Sequence, residues 1–276
     1  MSEFSYAEED LQMLVEKILN QRGVDLHQYK ENFLRRRLDI RLRARRLQDY
    51  SQYSSLLDED PSEYSIFFET LSINVTKFLR DKDVFDTFYK HIIPKLMEGK
   101  QNHEDIRIWS AGCASGEEVY SIAILLHEAL GDSKLNAFNV IGTDISPKAI
   151  QAAKNGRYKA ETLQNLPRVL LIKYFESLQD RKQYEVCNEI RDSVSFSVGD
   201  LSRSVTPANL DVIFCRNMLM YLESEAQHQI FATFYHSLKK TGYLVLGKAE
   251  TIIGKPAGLF EPLMSKERIY RKRNEP

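Results

Sequence analysis

Ile106-Arg-Ile-Trp-Ser-Ala-Gly-Cys-Ala-Ser-Gly-Glu-Glu118 decides the fold of this chain. Ile106 to Ser110 reads as a β-strand, the stretch with Gly112 and Gly116 as a turn, and Glu117 to Leu130 as a helix. Strand, glycine turn and helix in that order open a β-α unit of a parallel sheet. Glycine lets backbone approach a ligand closely, and the N–H groups of a helix start supply hydrogen bonds. The G-x-x-x-x-G-K-[ST] phosphate loop is missing, and so is the G-x-G-x-x-G dinucleotide fingerprint. Glu117 and Glu118 would repel a pyrophosphate and favour a ligand that carries positive charge.

The alternation continues downstream. Phe138 to Thr143 reads as a strand, and Ser146-Pro147 supplies an N-cap and a first-turn proline for a helix from Pro147 to Asn155. Strands follow at Val194 to Val198, Asp211 to Cys215 and Tyr243 to Leu246, with a helix from Ser224 to Leu238 and an antiparallel hairpin within Glu261 to Arg271. Parallel strands joined in this way need right-handed crossovers. Residues 157–193 break the pattern with a helical piece after Pro167 and an alternating run, Tyr184, Val186, Asn188, Ile190, and are read as an inserted subdomain.

Val140-Ile-Gly-Thr-Asp144 ends in an acid at the carboxyl end of the second strand, where ribose hydroxyls are held in such sheets. With the glycine turn it suggests an adenosine cofactor without phosphate, which points to S-adenosylmethionine. The bland alternative is glycine for packing and aspartate as a helix cap. Asp211-Val-Ile-Phe-Cys-Arg-Asn-Met-Leu-Met-Tyr221 is an apolar strand ending in Arg216-Asn217 at the same cleft, with Tyr221 open to a packing or a catalytic role.

Upstream the chain is helical. Leu11, Leu14, Val15, Ile18 and Leu19 form one stripe ended by Gly23, and Leu34, Leu38 and Leu42 line a second helix from about His27 to Arg46. Short helices at Asp49 to Leu57 and Ser62 to Leu71 complete the unit. The 276 residues are 43% hydrophobic and 28% charged, with a net charge of -1. That composition excludes the disordered and collagenous classes and gives no blanket attraction for polyanions. The longest apolar stretch, Tyr120 to Leu126, is far short of the ~20 residues of a membrane span, so no membrane insertion is expected. Cys113, Cys187 and Cys215 form no Cys-x-x-Cys pair, which fits a reducing cytoplasm and argues against a metal cluster.

The segments together resemble the chemotaxis receptor methyltransferases, which esterify glutamate side chains of chemoreceptors. The resemblance rests on Asn74-Val-Thr76 with Arg80, the Ser110-to-Glu118 turn, Gly142-Thr-Asp144, Phe214-Cys-Arg-Asn217 with Tyr221, and Val245-Leu-Gly-Lys-Ala-Glu250. It implies an α/β, Rossmann-like, seven-stranded S-adenosylmethionine-dependent methyltransferase domain at 73–276, holding the small β-subdomain at 157–193 and preceded by an all-helical recognition domain at 1–72. It implies a cofactor site of Asn74, Thr76, Arg80, Gly112, Asp144, Asp200, Leu201, Arg216 and Asn217, with Glu118 beside it. Arg80 and Tyr221 would lie closest to the transferred methyl.

The chemistry suits these residues. A sulfonium methyl is already activated, so the task is alignment, and a carboxylate acceptor with a pKa of ~4.3 needs no general base. Accordingly none of the histidines (His27, His91, His103, His127, His228, His236) falls in these segments. Arginine offers a planar fork for a carboxylate, so Arg80 is expected to orient the substrate or the cofactor's carboxylate. Tyr221 would donate its hydroxyl or offer a ring face to the sulfonium. Amine methylation would call for a polar-Pro-Pro-aromatic loop where Asn217-Met-Leu-Met stands.

Arg35, Arg36, Arg37, Arg41, Arg43, Arg45 and Arg46 make a narrow basic stripe inside a region whose net charge over residues 1–80 is -2. Such a stripe fits one acidic protein surface better than nucleic acid, and by resemblance it meets the cytoplasmic helices of the receptor. A monomeric cytoplasmic enzyme of sensory adaptation follows. The rivals are an RNA methyltransferase that uses the arginines on phosphates and a non-catalytic cofactor-binding adaptor. In some relatives the inserted subdomain docks a receptor tail by strand addition through a glycine-bearing loop. Here no glycine lies between Gly156 and Gly199, so the tail is expected to be dispensable.

Overall fold

The computed structural model describes residues 8–72, 76–98, 105–131, 138–178, 182–203 and 206–274. Helix α1 (Glu8–Arg22) buries Leu11, Leu14, Val15 and Ile18, and Gly23 ends it at φ +68 with its N–H on the Leu19 carbonyl. Helix α2 (Glu31–Arg45) buries Phe33, Leu34, Leu38 and Leu42. It begins later than His27, because residues 29 and 30 are claimed by a tertiary partner. Tyr29 forms a β-bridge with Leu222, and the Lys30 N–H donates to the Tyr221 carbonyl at 2.8 Å. Asp49 caps α3 (Tyr50–Glu59) by accepting from the Gln52 N–H. With α4 (Glu63–Leu71), these helices close over Leu14, Ile18, Leu38, Leu42, Tyr53 and Phe67.

Between Arg80 and the first strand the sequence reading assigns nothing, yet the structure places a helical stretch there. It comprises α5 (Lys82–Thr87), a π-turn at Phe88–Ile92, and α6 (Ile93–Glu98). Pro94 has no N–H to donate, and the helix widens just before it. Val84, Phe85, Phe88, Ile92 and Ile93 pack into the same core as the sheet.

The α/β unit runs β1 (Ile106–Ala111), α7 (Glu117–Leu130), β2 (Phe138–Asp144), α8 (Pro147–Asn155), β3 (Arg157–Lys159), α9 (Arg168–Tyr174), β4 (Phe175–Ser177), β5 (Gln183–Val186), α10 (Asn188–Asp192) and β6 (Val194–Val198). It continues through β7 (Leu210–Cys215), α11 (Ser224–Ser237), β8 (Leu238–Leu246), β9 (Phe260–Met264) and β10 (Ile269–Lys272). Among the described residues seven strands lie in the order β6-β2-β1-β7-β8-β10-β9. The five from β6 to β8 are parallel; β10 and β9 are the antiparallel hairpin. Every residue of β7 is buried, as a central strand covered on both faces requires. No helix among the described residues is long and apolar enough to cross a membrane.

The inserted segment forms a separate sheet, β3-β5-β4. Its expected alternating run is half right. Tyr184 and Val186 lie in β5, but Asn188–Asp192 is helical, with Ile190 fully buried. The Cys187 N–H donates to the Tyr174 carbonyl and ends the strand, and Ile190 then packs into the sheet core rather than continuing a ladder.

Candidate functional site

The chain builds β1, β2 and β6 on one side of the sheet and then crosses to β7 on the other side of β1. Order reversal of this kind opens a crevice at the carboxyl ends of the strands. A cleft with about 990 Å³ of empty space, open solvent at its mouth included, lies there. Thr76, Arg80, Gly112, Glu118, Asp144, Asp200, Leu201, Arg216, Asn217 and Tyr221 line it together. Asn74, expected beside them, lies outside the described residues.

Gly112 takes φ +81, and a Cβ there would stand 3.0 Å from the Met218 Sδ, so the backbone reaches the cleft only as glycine. Its amide and that of Cys113 both donate to the Thr143 carbonyl, which ties the turn to the end of β2. The Asp144 carboxylate, 5% exposed, accepts from the N–H of Ala114 and of Ser146, both at 2.9 Å. Burial pushes its pKa up, against the pull of these amides. A buried acid at this strand end is held ready to accept from a polar ligand.

Arg216 is 2% exposed at its side chain and works inside the protein. One Nη donates to Glu118 at 3.1 Å; the other donates to Asp81 at 2.6 Å and to the Arg80 carbonyl at 3.1 Å. Glu118 also accepts from the Ser110 hydroxyl at 2.9 Å. Leu79 and Asp81 both lie in the left-handed region, and the Leu79 N–H donates to the Ser121 hydroxyl oxygen. The turn that presents Arg80 is thus clamped from β7 and from α7.

Asn217 likewise has φ +64. Its N–H and those of Gly247 and Leu219 all donate to the buried carboxylate of Glu250, each at 2.8 Å. Sequence reasoning assigned no role to Glu250; it sits just past a strand end, and only the fold brings it under Asn217.

The helical unit supplies a wall that the sequence reading missed. Gln28, Tyr29 and Phe33 line the cleft. The Phe33 ring stacks on Tyr221 at 4.7 Å and on Tyr29 at 5.6 Å between centroids. Burial, then the nearby Asp200 and Asp144 carboxylates, raises the pKa of the Tyr29 phenol, so it remains a neutral donor. Asp200 accepts from the Asp25 N–H at 3.0 Å, from Gln28 Nε2 at 3.1 Å and from Ser202. It therefore joins the two units as well as lining the cleft. The i, i+4 spacing of Tyr29 and Phe33 at a helix start was the available signal.

The arginine stripe needs correcting. Arg35 pairs with Glu31 and Glu8, Arg41 with Glu63, and Arg45 with Glu63 and Asp60. Glu63 is fully buried, so Arg41 is drawn into the helical core, whereas Arg45 pairs with the same carboxylate from the exposed surface. Arg37 lies 4.9 Å over the Phe33 ring. Arg36, Arg43 and Arg46 are exposed and keep the basic face, narrower than expected.

Burial raises the thiol pKa of Cys113 and of Cys215, so neither supplies a thiolate nucleophile. Among the described residues no group of His, Cys, Asp and Glu could hold a metal. A glycine turn at the cleft, a buried acid at the end of β2, a second carboxylate in Glu118 and an aromatic wall fit a nucleoside that carries a sulfonium, and S-adenosylmethionine is the cofactor.

Comparison with known proteins agrees. Residues 74–269 match the family model described as CheR methyltransferase, SAM binding domain, and residues 9–72 match its all-alpha domain. The chain is 33% identical over 253 residues to a chemotaxis protein methyltransferase of Borreliella burgdorferi, covering 89% of each. It is 31% identical to chemotaxis protein methyltransferase 2 of Pseudomonas aeruginosa, over 91% of this chain and 89% of that one. Against the chemotaxis protein methyltransferase of Salmonella typhimurium the identity is 32%, over 84% and 80%. Strand order, cleft and these matches lead to one conclusion: the chain belongs to the CheR methyltransferase family, whose members carry out S-adenosylmethionine-dependent methylation in chemotaxis.

Proposed function

We propose that this protein transfers methyl groups to glutamate side chains on the cytoplasmic helices of chemoreceptors, giving glutamyl methyl esters. One observation carries the reading: the helix with the basic face starts in the wall of the cofactor cleft. Phe33, in the first turn of α2, lines the cleft, while Arg36 and Arg43 stand exposed further along the same helix and Arg46 just past its end. An acidic receptor helix drawn to that face would bring its carboxylates to the mouth of the cleft.

S-adenosylmethionine supplies an activated methyl on a positively charged sulfur. Thr76, Gly112, Glu118, Asp144, Leu201 and Asn217 would hold it, with Asp144 accepting from the sugar and Glu118 favouring its positive end. A glutamate arrives ionised. Its carboxylate oxygen forms the new O–CH₃ bond as the S–CH₃ bond breaks with its electron pair to sulfur, so no residue has to move a proton. Arg80 orients the incoming carboxylate, and Tyr221, fixed against Phe33, closes the other side. Residues 1–72 serve as the recognition domain, and residues 73–276 do the chemistry in the cytoplasm, as a monomer without the receptor tail.

The experiment is incubation with methyl-labelled S-adenosylmethionine and a receptor cytoplasmic fragment, followed by mild alkali. Release of labelled methanol marks a carboxyl ester; label that stays in the protein means another acceptor. Arg80→Ala should fold and lose most of the release, and wild-type release from that variant would remove Arg80 from the reaction.

A further inference from the structure

We propose that Glu250 is a positioning residue, which sets the conformation of the 216–221 segment so that this side of the cleft is preformed for the cofactor. The proposal rests on the reading of that cleft as the cofactor site.

Glu250 is 4% exposed, and the reaction as derived makes no use of its charge. A buried carboxylate is costly unless fully hydrogen-bonded. Here it is met by three backbone N–H groups, and they belong to two different segments. Oε2 takes Asn217 and Gly247; Oε1 takes Leu219. Leu219 opens the 3-10 turn Leu219–Tyr221, so Glu250, in the segment after β8, caps the turn that ends in Tyr221. Asn217 has φ +64, a conformation that a non-glycine residue adopts at a cost and keeps where its surroundings impose it. A Cβ on Gly247 would come within 2.7 Å of both Glu250 Oε2 and Asn217 Nδ2, so the segments are in the closest contact that glycine permits. Arg216, which clamps the Arg80 turn, immediately precedes Asn217. One carboxylate thus organises the backbone under Arg216, Asn217 and Tyr221 without lining the cleft itself.

Glu250→Gln keeps the shape but turns an NH₂ toward an N–H donor. The full chain would be titrated with S-adenosylhomocysteine by calorimetry, and amide exchange followed by mass spectrometry. We expect affinity to fall roughly tenfold or more, since small misplacements weaken a preorganised site steeply, with exchange accelerated at 216–221 and unchanged in α1 to α4. In a double-mutant cycle with Asn217→Gly, glycine accepts φ +64 freely, so the two losses should be less than additive. Wild-type affinity in Glu250→Gln overturns the proposal. So does faster exchange throughout the chain, or strict additivity, because either marks Glu250 as a general stabiliser. If the wild-type protein itself fails to bind S-adenosylhomocysteine, the reading of the cleft falls first.

Discussion

Arg216 and Asp81, 135 residues apart in sequence, meet at 2.6 Å, and the same guanidinium Nη also donates to the neighbouring Arg80 carbonyl at 3.1 Å. The pair joins the end of β7 to the turn before α5. A residue expected to touch the cofactor therefore has its charged end committed to protein partners, and Arg80 inherits its position from that commitment.

Asp81→Asn should consequently loosen the Arg80 turn while leaving Arg216 paired with Glu118. We expect a loss of about 1.5–3 kcal/mol, the scale of a hydrogen bond to a charged group, read from urea unfolding. Methyl transfer should drop further than this loss of folded protein explains. Unchanged turnover would show that Arg80 does not depend on the clamp.

Phe33→Leu removes the ring that stacks on Tyr221. An aromatic pair is worth about 0.5–1.5 kcal/mol beyond its area, so the fold should survive. Turnover on a receptor fragment should fall roughly tenfold if Tyr221 must be held still. Steady-state kinetics decide the matter, and a wild-type kcat would separate Tyr221 from the helical unit.

Gln28→Ala deletes both side-chain bonds to Asp200 and leaves a buried acid less satisfied. The expected cost is about 1–3 kcal/mol, visible as a lower thermal midpoint, with faster proteolysis between α1 and α2. S-adenosylhomocysteine should recover part of the midpoint by binding only the folded form. A midpoint equal to the wild type's would mean that the two units are held elsewhere.

The arginines of α2 and its cap divide into two groups with opposite phenotypes. Arg36→Glu and Arg46→Glu should leave stability within about 0.5 kcal/mol, as exposed substitutions do, but raise KM for the receptor fragment and flatten its salt dependence. Arg41→Ala should cost about 3 kcal/mol by stripping a partner from fully buried Glu63. Burial works to raise the Glu63 pKa, but hydrogen bonds from Arg41 and Arg45 outweigh it and hold the carboxyl below its ordinary value. Its stabilisation is therefore complete above the unfolded carboxylate pKa of ~4.3 and is lost as pH falls through the lower folded value. Acid titration of Arg41→Ala by circular dichroism should show unfolding at a higher pH than wild type. Coincident acid curves would remove Glu63 from the account.

Much of this architecture is local and was therefore readable. The helix from Pro147 is set by a serine cap and a first-turn proline, and the helix from Glu117 by Gly116 at φ +92. Even the closing hairpin follows from two short β-rich runs. Local rules fail where a distant partner outbids them. Residues 29 and 30 look helical but pair with the 221–222 segment, and Asn188 continues an alternating run yet turns so that Ile190 can be buried.

The order of residues by itself determined the α/β frame, the glycine approach at 112, the acid at 144 and the concentration of arginine in one helix, because each depends on neighbours a few positions away. The tertiary structure alone decided which of those arginines face outward, that Tyr29 and Phe33 wall the cleft, and that Glu250 lies beneath Asn217. Those outcomes are contacts between segments as far apart as Asp25 and Asp200, and a charge shows whether it is spent or available only once the chain has closed around it.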